Sequence, residues 1–352
     1  MLFRSDESGG LGTFVLPTLV ELDTIDRLQR EVFGPVLHVL RYRREQLGAV
    51  LDAINATGYG LTLGVHSRID ETVAELSERI HAGNVYVNRN LIGAVVGVQP
   101  FGGMGRSGTG PKAGGPLYLH RLVQPLPQAN DALSANLAAA AVELSKIAPE
   151  PASFAALRDL LAALQNHTIT LGAEDTARAQ AACEHYLAHS PISTVYTLPG
   201  PTGESNRYRL LPRSGGVWCM PQTLLGLVHH IAATLATGNL ALIEAPSPDS
   251  PLATFLDALP PAVKAYVRSY PPTQRDILPE LSVVLFEGDA DALARVQDQM
   301  AQRDGLILRI ESLRPAQLAD GAMMDLTALV HEQSLSVNTA AAGGNAQLMT
   351  LG

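Results

Sequence analysis

Cysteine, lysine and tryptophan are scarce in this 352-residue chain. Two cysteines, Cys183 and Cys219, cannot build a disulfide framework and fit a reducing cytosol, so a cytoplasmic location is expected. Only Lys112, Lys146 and Lys264 are lysines, and the formal net charge of −9 comes without a basic block, which excludes a nucleic-acid surface here. No apolar run reaches the roughly 18 residues that a membrane helix needs, and no signal peptide opens the chain, so no integral membrane segment is expected. What is present is 46% hydrophobic and 17% charged residues, enough for packed cores, over a length that suggests two domains.

Glycine is abundant and concentrated. Gly93, Gly97, Gly102, Gly103, Gly105, Gly108, Gly110, Gly114 and Gly115 follow the strand-like Val85-Tyr86-Val87. Such density lets backbone N–H groups approach a ligand closely. The run opens no helix and carries no Lys-Ser/Thr after it, which excludes a phosphate cradle of the P-loop kind. Around it the pattern is α/β: strands at 36–42, 60–67 and 85–88 alternate with helices at 44–56 and 70–81. Val73, Leu76 and Ile80 form one face of the second helix, and Asp70 is placed to cap it. Residues 11–22 read as a strand broken by Pro17, and 120–130 as a domain exit.

The motifs Glu31-Val-Phe-Gly-Pro35, Tyr59-Gly-Leu61, Gly83-Asn84, Val87-Asn88 and Pro100-Phe-Gly-Gly103 stand in the order and spacing of the aldehyde dehydrogenase superfamily, which the chain resembles densely over residues 10–125. More narrowly, NRNLIGAVVGVQPFGG and SGTGPKAGGPLYL resemble the glutamate-γ-semialdehyde dehydrogenase module of bifunctional proline utilization A proteins. The resemblance implies an NAD-dependent oxidation of glutamate semialdehyde. Glu31 would accept hydrogen bonds from the nicotinamide ribose hydroxyls, and Phe33 would pack against that moiety. Gly93 and Ala94 would take the substrate's α-carboxylate through backbone N–H groups, and Phe101 would line the aldehyde tunnel.

The family's nucleophile is a cysteine thiolate. Neither cysteine fits that role: Cys183 sits mid-helix in RAQAACEHYLAH and Cys219 follows a buried-looking Trp218, so no catalytic residue is assigned to this chain. His185 and His189 are an i, i+4 pair and His229 and His230 are adjacent, but no third ligand has suitable spacing, so no metal site is expected. The resemblance further implies several hundred residues upstream, with the nucleophile, the cofactor half and a proline dehydrogenase domain that alone would hold FAD. Residues 1–10 are expected to be a loop start or an artefact. The missing N-terminal part of the same polypeptide and further copies of it, in a homo-oligomer, are the expected partners.

Residues 133–147 and 151–164 read as Ala/Leu-rich helices. Residues 206–246 then resemble a worn copy of the superfamily's dinucleotide-binding half, keeping Gly238-Asn239 but carrying Glu244 where a lysine is usual; further on, Phe286-Glu-Gly-Asp-Ala290 stands in place of the pyrophosphate turn. Acids there repel a pyrophosphate. The expected fold is α/β: part of a catalytic domain at 11–130, a degenerate Rossmann-type domain without cofactor at 131–333, and a docking tail at 334–352. The tail's uncharged, apolar sequence suggests strand pairing over the glycine loop, Val337-Asn338 repeating Val87-Asn88, and hence a duplication. Two functional readings remain: part of an aldehyde-oxidising enzyme, narrow or broad in specificity, or a non-catalytic lid and assembly module.

Overall fold

The computed structural model describes residues 3–4, 14–122, 143–147, 150–277 and 281–340. Three short strands, β1 (Phe3–Arg4), β2 (Thr18–Leu22) and β3 (Val36–Leu40), form one small sheet, with β2 parallel to β3 in the register Thr18 to Val36. A turn of 3-10 helix at Arg44–Gln46 leads into the helix Leu47–Ala56, whose Leu51 is buried. After the two-residue β4 (Tyr59–Gly60) and β5 (Thr62–Val65) comes the helix Asp70–Arg79. Ile69, not Asp70, is the N-cap, and Asp70 and Glu71 lie in the first turn, where the helix dipole favours them. The helix stops short of the expected 81 because Asn55 takes over its end. Asn55 Nδ2 donates to the Arg79 carbonyl and its Oδ1 accepts from His81 N, which frees Ile80 to turn extended into the core.

Strand β6 (Asn84–Val87) is buried throughout, as a β-branched and aromatic run between two neighbours should be. Beyond the glycine segment, which contributes β7 (Met104–Gly105) against β4, lie β8 (Glu143–Ile147), β9 (Thr194–Leu198) and β10 (Glu204–Pro212). The helix expected at 133–147 is therefore corrected in its second half: Glu143–Ile147 is a strand, antiparallel to β9, and 133–142 lies outside the described residues. The sequence Glu-Leu-Ser-Lys-Ile carries no clean two-residue alternation, and its pairing with β9 shifts register between Leu144 and Lys146, so nothing local offsets the helical signal of the Ala/Leu-rich stretch before it. The expected helix at 151–164 is present as Ala152–Gln165, and Cys183 is mid-helix in Ala173–Ala188.

Five parallel strands follow: β11 (Gly216–Met220), β12 (Leu240–Glu244), β13 (Val267–Tyr270), β14 (Leu281–Glu287) and β15 (Arg309–Leu313). Their order, β13-β12-β11-β14-β15, is that of a doubly wound Rossmann-type sheet with its switch point between β11 and β14. The helix Leu224–Ala236 lies under this sheet and is buried on nearly every face, as its apolar and small residues require. Among the described residues no helix is long and apolar enough to cross a membrane.

The last strand, β16 (Val330–Asn338), is the main departure from expectation. It lies inside a six-stranded sheet of order β5-β6-β16-β10-β9-β8, parallel to β6 and antiparallel to β10. The boundary drawn at 333/334 thus falls within one strand, and 334–338 is sheet interior rather than a docking tail; 341–352 lies outside the described residues. Strand pairing was expected at a sheet edge; the pairing with β6 instead joins the two expected domains into one sheet.

Inside the helix Leu224–Ala236, His230 is fully buried and neither ring nitrogen has a hydrogen-bond partner among the described residues. Burial, and then neighbouring His229, push its imidazole from 6.5 to about 3. The folded chain therefore holds His230 neutral, and its contribution to stability is present above the unfolded value and lost as pH falls below it. Replacing it by leucine should remove that acid sensitivity. Between pH 7 and 5 the parent should lose about 2 kcal/mol more unfolding free energy than His230→Leu. Urea titrations at both pH values check this; equal losses would mean that His230 is solvated or paired.

Candidate functional site

The glycine segment leaves β6 through Asn88, whose backbone is left-handed at φ 54°. Its side chain holds that turn, Oδ1 accepting from Ser67 N at 3.0 Å and Nδ2 donating to Ser67 O at 2.8 Å. Arg89 then lies over the Tyr86 ring, 4.6 Å from its centroid, and pairs with Glu204 of β10 at 3.2 Å. Ten residues on, Gln99 is buried: its Nε2 donates to Glu204 Oε1 at 2.5 Å and its Oε1 accepts from Val95 N at 2.9 Å. Between these anchors, Gly93 and Ala94 donate their backbone N–H groups to no acceptor among the described residues. A side chain at Gly93 would meet nothing within 4 Å, so its backbone is open to a ligand.

A second set of contacts fixes the segment where it returns to the sheet. Phe101 pairs with Ala113 through two backbone hydrogen bonds, Phe101 N to Ala113 O at 3.0 Å and Ala113 N to Phe101 O at 2.9 Å. Gly83 passes so close to this strand that a Cβ there would sit 2.0 Å from the Gly102 carbonyl oxygen, which makes glycine obligatory. Lys112 is buried and donates from Nζ to Asn84 Oδ1 and to the Gly102 carbonyl, both at 2.8 Å. Burial pushes its ammonium down to about 7, against the pull of Glu332 in the other direction. Glu332 of β16 accepts from Lys112 N at 2.7 Å and from the Tyr208 hydroxyl at 2.7 Å. Ser334 Oγ donates to the Pro100 carbonyl at 2.8 Å.

Gly93, Ala94 and Phe101 thus share one segment, with Phe101 half-buried where it bridges to Ala113. Glu31 and Phe33 lie elsewhere, in the exposed connection between β2 and β3, with Phe33 85% exposed. No hydrogen bond or ion pair among the described residues joins the two groups. Glu31 makes no such contact with any described residue, so its two carboxylate oxygens are available to hydroxyl donors, and the open Phe33 ring can receive a flat face. Gln99, Lys112, Glu204 and Glu332 were not singled out from the sequence. A lone lysine inside a glycine run was a usable signal for Lys112; nothing near Glu204 or Glu332 reveals partners more than a hundred residues away.

Neither cysteine can act as a thiolate. Cys183 and Cys219 are 0% and 1% exposed, and burial pushes each thiol up to about 12. Among the described residues no group of three or more His, Cys, Asp or Glu is placed to hold a metal ion.

The Rossmann-type sheet has a cleft of about 230 Å³ at the strand ends of β11, β12 and β14. Its anion position is already filled. Glu287, fully buried, accepts from Gln222 N at 2.7 Å, Thr223 N at 2.9 Å and Thr223 Oγ1 at 2.7 Å, ahead of the helix Leu224–Ala236. The two acids expected together in the pyrophosphate turn are thus divided: Asp289 caps its own helix, accepting from Ala292 N at 2.8 Å, and Glu287 serves the neighbouring one. A dinucleotide does not fit here, because a carboxylate occupies the place of its phosphates.

Residues 4–125 match the family model described as "Aldehyde dehydrogenase family". Over 342 residues, 97% of this chain, the sequence is 46% identical to the "Bifunctional protein PutA" of Escherichia coli (strain K12), of which it covers 24%. The match is to that protein's C-terminal part, so the chain spans about a quarter of the length of this relative. It is also 44% identical over 118 residues to the "1-pyrroline-5-carboxylate dehydrogenase" of Geobacillus sp. (strain WCH70), covering 33% of this chain and 22% of the relative. Among solved structures, proline utilization A from Corynebacterium freiburgense shares the fold, with a TM-score of 0.55 at 23% identity over 89% of this chain and 26% of that one.

Proposed function

We propose that this chain, which carries an aldehyde dehydrogenase family domain and corresponds to the C-terminal part of a larger polypeptide, serves that polypeptide in the NAD-dependent oxidation of glutamate-γ-semialdehyde to glutamate. One observation carries the reading: the adjacent N–H groups of Gly93 and Ala94 have no acceptor among the described residues, in a loop that is otherwise tied down at both ends. Two adjacent backbone donors suit a carboxylate, which distinguishes this substrate from a plain aliphatic aldehyde. Phe101 contributes an apolar wall for the carbon chain beneath the loop.

NAD, when bound, supplies the hydride acceptor. Glu31 would accept hydrogen bonds from ribose hydroxyls, and Phe33 would pack against the nicotinamide end. The nucleophile that adds to the aldehyde must come from outside this chain, since both of its thiols are buried and held protonated. Among the described residues of 131–340, the Glu287-filled cleft and the strands β10 and β16 favour a supporting role toward the glycine loop.

In the larger polypeptide, Glu31→Ala should weaken NAD use while leaving proline oxidation unchanged. Losing a charge-assisted bidentate acceptor costs about 1.5–3 kcal/mol, roughly tenfold to a hundredfold in kcat/KM for NAD. Steady-state kinetics with NAD as the varied substrate decide the point; an unchanged value would reduce Glu31 to a surface acid.

A further inference from the structure

We propose that Glu204 is a positioning residue for the substrate carboxylate, acting through Arg89 and Gln99 to hold the free Gly93 and Ala94 amides in place. The proposal rests on the substrate reading above and adds the device that sets the loop. One carboxylate grips both ends of it: Oε2 pairs with Arg89 at the entry at 3.2 Å, and Oε1 accepts from Gln99 at the exit at 2.5 Å. Arg89 and Glu204 side chains are each only 14% exposed, which shields the pair from the screening that weakens surface ion pairs.

The relay continues into the loop. Gln99 presents its amide nitrogen to Glu204 and Asn206, at 2.5 and 3.3 Å, which fixes which way round the amide lies. Its oxygen is thereby aimed at Val95 N, the amide next after Gly93 and Ala94. The Val95 N–H is consumed inside the protein, and the two preceding ones are left for a ligand. Without Glu204 the Gln99 amide could reverse and the loop could swing on Arg89.

Glu204 opens β10 opposite Asn338 of β16, and Asn338 Nδ2 donates to the Asn88 carbonyl at 3.1 Å. The clamp on the N-terminal loop is therefore built from strands more than a hundred residues further along the chain. Positioning of this kind acts on kcat/KM for the substrate whose carboxylate the loop receives, because a displacement of about 1 Å already costs up to roughly a hundredfold.

The test uses the larger polypeptide, wild type and with Glu204→Ala, Glu204→Gln or Gln99→Leu. Glutamate semialdehyde is compared with butanal, which has no carboxylate. Glu204→Ala and Gln99→Leu should each lower the ratio of kcat/KM for the semialdehyde over butanal by roughly tenfold or more, with KM for NAD unmoved. Glu204→Gln, nearly isosteric and still an acceptor for Gln99, should fall between them and wild type. Hydrogen exchange across residues 89–99 should quicken in Glu204→Ala. Equal losses on both aldehydes, or no change in the ratio, would overturn the proposal. Faster exchange with an unchanged ratio would show a clamp whose loop does not read the carboxylate. Wild type indifferent to the carboxylate would overturn the substrate reading itself.

Discussion

Ending the chain at Gln333 is expected to abolish cooperative unfolding of the six-stranded sheet. The truncation removes residues 334–338 of β16, which pair with Asn84–Val87 on one side and with residues 204–208 on the other. It also strips the Ser334 bond to the Pro100 carbonyl and the Asn338 bond to Asn88. Leu335 and Val337 pack against the cluster that holds Val85 and Val87. Two such side chains contribute about 1.5–3 kcal/mol each and every interior hydrogen bond about 1 kcal/mol, so the sum reaches the 5–15 kcal/mol of a typical domain's whole stability. Far-UV circular dichroism through a urea titration checks this, with a chain ending at Ala340, which keeps the full ladder, as control. A Gln333-ended chain with the control's midpoint would mean that β16 is dispensable.

Glu287→Ala should be nearly as damaging, and in the other sheet. Gln222 N, Thr223 N and Thr223 Oγ1 would lose their common acceptor at the buried start of the helix Leu224–Ala236. A cost of about 3–5 kcal/mol follows from three donors left without a charged partner. Trp218, the single tryptophan, is buried on the neighbouring strand β11 and reports the transition by fluorescence. Because the carboxylate fills an anion position, inorganic sulfate should restore part of the variant's midpoint while hardly moving the parent's. An equal response of both would mean that Glu287 is an ordinary buried acid with no anion site behind it.

Local chemistry made much of this fold legible. The helix Asp70–Arg79 announced itself by its apolar spacing and first-turn acids, and β6 by an unbroken β-branched and aromatic run. The worn Rossmann pattern was readable because Gly238-Asn239 keeps its local signature, and the parallel order of β11 to β15 bears it out. What stayed hidden depends on partners far away. The strand β16 reads as a tail because its neighbours are residues 84–87 and 204–212. Glu204 and Glu332 look like surface acids because the arginine, glutamine and lysine backbone that bind them lie on another part of the chain. Glu143–Ile147 hides as a strand because the Ala/Leu-rich stretch before it favours a helix and its five residues lack a clean two-residue period.

On the function proposed, this chain supplies a substrate loop and its support, but not the nucleophile. NADH formation from glutamate semialdehyde, followed at 340 nm for the purified chain and for the larger polypeptide side by side, tests it most directly. Turnover is expected from the larger polypeptide and none from the chain alone, because Cys183 and Cys219 are sealed in the core. Turnover by the chain alone that survives removal of trace host enzyme would contradict it.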